Sequence, residues 1–265
     1  MVYIALAVPT HQERGIPVAN RFIIVCAART GSTLLRLLLQ SPPDICCHGE
    51  IITPDERHVV QLAGMKADYK SNLRDLLIDT RKSDPARFLC DFALYPGRFL
   101  AVGLKIKYSE FLPEVIGNAH AWVLENMDVK IIHLRRRNLL RRLVSHQFAL
   151  QTGVNMVLTG GNVPEYKSLR LDFDACVDDF ETVRAEEERF SSLFSGHPVI
   201  DLAYEAVVDP QSGERARILD FLGVPQAPLS TPMVKLGRDD LGESIENYED
   251  LRRQAQGTPY AKFFD

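Results

Sequence analysis

At 265 residues, with 46% hydrophobic and 25% charged residues and a formal net charge of −4, the chain has the composition of a globular protein with an apolar core. That balance gives no electrostatic reason to expect a nucleic-acid partner, and no apolar run is long enough to cross a bilayer. The five cysteines (Cys26, Cys46, Cys47, Cys90, Cys176) lack C-x-x-C spacing, so neither a disulfide framework nor a zinc site follows, and they read as reduced thiols of a cytoplasmic protein.

In chain order, Val2–Val8 is a short apolar run with no basic flank and reads as a first strand or tail within residues 1–20. Residues 21–39, RFIIVCAARTGSTLLRLLL, follow. Phe22–Ala27 reads as a buried strand, the next few residues as a polar turn with one glycine, and Ser32–Gln40 as a leucine-rich helix. A strand, tight loop and helix start aim backbone N–H groups and the positive helix end at one point. Arg29 adds a fixed charge, and Thr30, Ser32 and Thr33 add hydroxyls beside Gly31. The turn suits a multiply charged anion such as phosphate or sulfate.

The nucleoside-triphosphate loop reads G-x-x-x-x-G-K-[ST]. Aligned on Gly31 and Thr33, this chain has Cys26 at the first glycine and Ser32 at the lysine, with its cation moved to Arg29. That departure argues against an ordinary ATPase or kinase. Adjacent Cys46 and Cys47 read as small apolar fillers.

Further strands are expected at Leu100–Ile106, Lys130–Leu134 and Val199–Leu202. Helices are expected around Leu73–Thr80 and at Asn138–Gln151, Asp172–Phe194 and Glu214–Leu222. Glycines and Pro164 mark 152–168 as a mobile surface loop, and 224–265 reads as an irregular C-terminal region with a final aromatic cluster, Tyr260, Phe263 and Phe264. The alternation predicts an α/β fold: a single domain, 1–265, with a central, mostly parallel sheet flanked by helices in a phosphate-loop-like topology. Ligands on such sheets bind beyond the carboxyl ends of the strands.

A second segment, IIHLRRRNLLRRLVSH (131–146), runs from a strand into Arg135, Arg136 and Arg137, then Asn138 can cap a helix carrying Arg141, Arg142 and Ser145. Five arginines in eight residues repel one another unless an anion is present or the side chains diverge. Arg141 and Ser145 share a helix face, and a guanidinium with a hydroxyl suits a phosphate monoester.

The two segments together resemble the sulfotransferase superfamily, and RTGSTLL is most similar to bacterial carbohydrate sulfotransferases of the nodulation-factor and glycolipid-modifying types. The resemblance implies that Arg29–Thr33 hold the 5′-phosphosulfate of the cosubstrate 3′-phosphoadenosine 5′-phosphosulfate (PAPS). It implies that Arg137 and Ser145, eight residues apart, hold the 3′-phosphate. VGLKIKYSEFLP resembles the family strand that puts a lysine, here Lys105, near the transferred group; the histidine base of the cytosolic small-molecule enzymes is replaced here by Ile106, Lys107 and Tyr108. LAYEAVVDP resembles the turn that brings a tyrosine, Tyr204, toward the adenine, and Arg238 stands in for the missing C-terminal phosphate clamp.

In relatives acting on sugars, a glutamate shortly after the first helix is the base; Glu50 holds that place here, with His48 its rival. The implied reaction transfers a sulfuryl group to a hydroxyl of a carbohydrate or glycolipid, with Glu50 as base and Arg29 and Lys105 stabilising charge on the leaving group. The donor brings its own leaving group, so no metal is required. A glycolipid acceptor is compatible with peripheral membrane contact, and the sequence specifies no oligomeric state. A nucleoside-triphosphate-dependent kinase, with Asp201 as its magnesium ligand, and a non-catalytic adenine-nucleotide-binding module are the competing readings.

Overall fold

The computed structural model describes residues 20–55, 58, 71–234, 236 and 240–264. The expected strand or tail at Val2–Val8 lies outside the described residues, as does Arg238. Five consecutive apolar side chains, Phe22 to Cys26, are each at most 1% exposed, because the strand that carries them, β1 (Asn20–Cys26), lies mid-sheet with both faces covered. It pairs in parallel with β3 (Ala101–Lys107) on one side and β4 (Lys130–Arg135) on the other. The edges are β2 (Ile45–His48), beside β3, and β6 (Val199–Ala203), beside β4. The order β2-β3-β1-β4-β6 is parallel throughout, so all five carboxyl ends open on one rim. The chain passes from β1 to one side and later to the other, which puts the crevice at the carboxyl end of β1.

Alternation along the strands sorts the core into two layers. Phe22, Ile24 and Cys26 pack with Leu35, Leu38 and Leu39 of α1 (Ser32–Leu39) and with Ile218 and Leu222 of α9 (Glu214–Leu222). Ile23 and Val25 face the other layer, with Leu140 of α6 (Leu139–Thr152) and Phe180 and Phe190 of α7 (Phe173–Leu193). Further α-helices among the described residues are α2 (Ser71–Ser83), α3 (Pro85–Phe88), α4 (Pro113–Ile116), α5 (Ala119–Glu125), α8 (Tyr204–Val208) and α10 (Tyr248–Ala255). Among the described residues no helix is long and apolar enough to cross a membrane.

Several segments differ from expectation, and α3, α4, α5 and α8 lie where no helix is expected. Cys46 and Cys47 belong to β2, whose four residues are too few to show a period. Within the expected loop at 152–168, β5 (Val157–Leu158) pairs antiparallel with β7 (Met233–Val234), a contact that no local pattern announces. The C-terminal region contains α10, whose Leu251 and Ala255 are fully buried, with Phe263 and Phe264 only 2% exposed. Its composition, YEDLRRQA, is polar enough to conceal one narrow apolar stripe.

Candidate active site

The loop from β1 to α1 is shaped by its own side chains. Thr30 is fully buried, and its hydroxyl donates to the Ala27 carbonyl at 2.9 Å. Arg29 and Gly31 take positive φ values of 67° and 87°, which turns the backbone sharply into the helix. Arg142 donates to the Ala28 carbonyl at 3.2 Å and Arg136 to the Arg29 carbonyl at 3.1 Å. Two loop carbonyls are thus held by arginines, while Gly31 begins α1 with no side-chain cap and no acidic residue in the first turn. The orphan N–H groups at that helix start suit an anion.

Glu50, just beyond β2, reaches the same rim. Lys105 and Lys107 are two apart on β3 and so share one face, the α1 face. Lys105 Nζ donates to Glu50 Oε1 at 2.9 Å and to the Thr33 hydroxyl at 3.0 Å. Lys107 Nζ lies 3.2 Å from Glu50 Oε2. Burial pushes the Glu50 carboxyl up, but Lys105 and then Lys107 outweigh it and hold it below the ordinary carboxylate range. His48, by contrast, shares β2 with Ile45 and Cys47, which pack on the α1 side, so alternation turns it to the opposite face. It is 4% exposed, and burial pushes its pKa down to about 4.

The arginines of the second segment diverge. Arg135 pairs with Asp201 at 2.9 Å, and Arg142, 3% exposed, forms an ion pair with Asp179. The Arg136 guanidinium lies 4.8 Å from the centre of the Tyr204 ring, and its buried Nε has no hydrogen-bond partner among the described residues. The Tyr204 ring also closes on the loop: a Cβ on Gly31 would fall 2.2 Å from Tyr204 Cδ2. Arg137 is exposed one residue before Asn138, which caps α6 by accepting from Arg141 N–H at 2.9 Å. Glu205 accepts from the backbone N–H groups of Arg137 and Asn138 at 3.1 and 3.3 Å. The guanidinium that meets Ser145 is that of Arg29, whose Nε donates to the serine at 3.2 Å. Arg29 also donates to the carbonyl and side-chain oxygens of Asn155 at 3.0 and 3.2 Å.

The structure therefore gathers two groups of site residues on one rim. Thr33, Glu50 and Lys105 form one; Arg29 and Ser145 form the other, with Tyr204 against the loop. A model of the sulfotransferase family matches residues 21–228. The chain belongs to the sulfotransferase family. Nodulation protein H of Rhizobium tropici is 27% identical over 257 residues, covering 94% of this chain and 95% of that protein. Nodulation protein H of Rhizobium meliloti (strain 1021) is 25% identical over 252 residues, covering 92% and 94%. Two solved structures are similar at low identity. The sulfotransferase from Alicyclobacillus acidocaldarius has a TM-score of 0.48 at 19% identity, covering 94% of this chain and 93% of its own. The sulfotransferase domain from the curacin biosynthetic pathway has a TM-score of 0.47 at 16% identity, covering 88% and 86%.

This sulfotransferase is an enzyme of sulfuryl transfer, so it takes a sulfuryl donor and an acceptor, and the kinase and non-catalytic readings give way. Asp201, the magnesium candidate of the kinase reading, alternates with Ile200 and Leu202 and so lies on the face away from α1, paired with Arg135. Sequence reasoning passed over Lys107, Glu110, Arg136, Asn155 and Glu205. Lys107 carried a signal, its place two residues beyond Lys105 on one strand, and Glu110 joins it locally, three residues on; Arg136, Asn155 and Glu205 meet the site only through tertiary contacts.

Proposed function

We propose that this sulfotransferase uses PAPS as donor and a hydroxyl of a carbohydrate or glycolipid as acceptor, in the cytoplasm, with no nucleic-acid partner. The observation that carries the reading is the juxtaposition of Glu50, Lys105 and Thr33 at an uncapped helix start, with Tyr204, Arg136 and Ser145 further along the same rim. A nucleotide with phosphates at two ends needs cations at two separated places, and these groups fit that demand.

When bound, the donor supplies the sulfuryl group and departs as the 3′,5′-bisphosphate. The chain's own residues do the rest. N–H groups of Gly31, Ser32 and Thr33 and the charges of Lys105 and Arg29 stabilise negative charge on the departing phosphate. Arg137 and Ser145 hold the 3′-phosphate, and Tyr204 offers its ring to the adenine. Glu50 takes the proton from the acceptor hydroxyl, a step that contributes about 10²–10⁴ in rate in enzymes generally.

Calorimetric titration with 3′-phosphoadenosine 5′-phosphate and with AMP tests the donor. Tighter binding of the first by at least roughly tenfold is expected, with that preference lost in Arg137→Ala. Equal affinities in the wild-type enzyme would defeat the assignment. Glu50→Gln should lower transfer from PAPS by at least about tenfold while nucleotide binding persists.

A further inference from the structure

Lys107 is a cation with two carboxylates. Its Nζ lies 2.6 Å from Glu110 Oε1 and 3.2 Å from Glu50 Oε2, and its backbone N–H donates to Glu110 Oε2 at 3.0 Å. Glu110 opens onto Lys107 from the short 3-10 turn Tyr108–Glu110 that follows β3, so its carboxylate is gripped at both oxygens by one residue. The Lys107 ammonium is thereby fixed at the rim, 31% exposed, whereas Lys105 is 12% exposed and hydrogen-bonded to Thr33 in the first turn of α1. The two lysines differ in what competes for them. An anion at the α1 start arrives beside Thr33 and draws on Lys105; Lys107 is tied to the turn.

Glu50 with both oxygens paired is poorly placed to accept a proton from an acceptor. The cluster of Glu50, Glu110, Lys105 and Lys107 balances its charges, and withdrawing Lys105 leaves one negative charge in excess. That frees Oε1 and favours proton uptake by Glu50. A carboxylate released on both sides would lose its orientation as well.

We propose that Lys107, held by Glu110, is the positioning residue that fixes Glu50 toward the acceptor once Lys105 has turned to the donor anion. The inference rests on the reading of Glu50 as the base. Donor binding then arms the base, and Lys107 keeps it in place and keeps its proton affinity from rising too far. The groups facing Glu50 are Lys105 and Lys107 from β3, Glu110 through Lys107, and Cys26 at the end of β1, whose thiol is pushed up by burial and stays neutral. Burial works against the Lys107 charge, but Glu110 and Glu50 outweigh it and hold its pKa above the ordinary value, so it remains a cation throughout.

The test follows the Glu50 carboxyl by carbon NMR of protein labelled at glutamate Cδ, assigned with Glu50→Gln, with 3′-phosphoadenosine 5′-phosphate as the probe. In the wild type, saturation with the nucleotide should raise the Glu50 titration midpoint. In Lys107→Met the midpoint should rise by roughly a further 1 unit or more, as loss of an adjacent opposite charge requires. Lys107→Arg should restore it, and Glu110→Gln, which loosens Lys107 without removing it, should give a smaller rise. Glu110→Gln alone decides the matter if Lys107→Met does not fold. A midpoint that ignores the nucleotide, or one equal in all Lys107 and Glu110 variants, overturns the proposal while leaving Glu50 as base if Glu50→Gln is impaired in transfer. Normal transfer by Glu50→Gln, or no nucleotide binding in the wild type, overturns both.

Discussion

Gly31→Ala places a methyl group at the point where loop, helix and Tyr204 converge. The backbone there has φ of 87°, a left-handed conformation that costs an L-residue roughly 1–2 kcal/mol. The new Cβ would lie 2.2 Å from Tyr204 Cδ2 and 2.5 Å from Cε2, against ordinary carbon contacts of about 3.5–4.0 Å. Relief requires the Tyr204 ring, which lies 4.8 Å from the Arg136 guanidinium, to move off the loop. Overpacking of this kind costs typically about 1–3 kcal/mol, so the total is roughly 2–5 kcal/mol. Urea denaturation should show a lower midpoint with an unchanged slope, and calorimetry should show weakened binding of 3′-phosphoadenosine 5′-phosphate. Adding Tyr204→Ala should recover the overpacking part and leave the backbone part, relative to Tyr204→Ala alone. Stability and binding of Gly31→Ala within about 0.5 kcal/mol of wild type would refute the argument that this glycine is required by both its torsion and its neighbour.

Other consequences concern the supports of the site. Asp179→Ala strands the buried Arg142 guanidinium that also holds the Ala28 carbonyl, and should cost roughly 3–5 kcal/mol in denaturant melts; Asp179→Asn should cost less. His133, 2% exposed and bonded to the Tyr108 hydroxyl at 2.5 Å, has its pKa pushed down to about 4 by burial, with Arg135 adding to the effect. A depressed folded pKa means stability is present above the ordinary histidine pKa of 6.5 and is lost as pH falls toward 4. His133→Gln should therefore flatten the pH dependence of stability in that window, measured by denaturation at a series of pH values. Glu187 works in the opposite sense: burial raises its pKa from 4.5 to about 6, so its protonated form is favoured on folding. Stability from that group is complete below 4.5 and declines as pH rises through 6, so Glu187→Gln should gain on the wild type at neutral pH and lose that advantage in acid.

What could be read from the chain alone is local in origin. Phe22–Ala27 followed by a glycine turn and STLLRLLL specifies strand, loop and helix within a score of residues, because burial on both faces, a left-handed glycine and a leucine stripe each leave a mark in adjacent positions. The alternation of such units foretold a parallel sheet, and the parallel sheet foretold which rim would carry the site. The resemblance of two short motifs added the chemistry. Only the folded structure decided which residues meet there. Arg29 reaches Ser145 across 116 positions, Tyr204 closes on Gly31, and Lys107 turns out to serve Glu50 and Glu110 together. Three of the five arginines in 135–142 part company, since β4 and α6 aim Arg135 at Asp201, Arg136 at Tyr204 and Arg142 at Asp179. β2 and α10 were likewise invisible, one too short and the other too polar to show a period, until packing against the sheet gave their few apolar side chains a purpose. The reason is common to all of these: a pair of side chains far apart in sequence leaves no periodic trace, and its partnership is set by strand register and helix direction, which exist only once the chain has closed on itself.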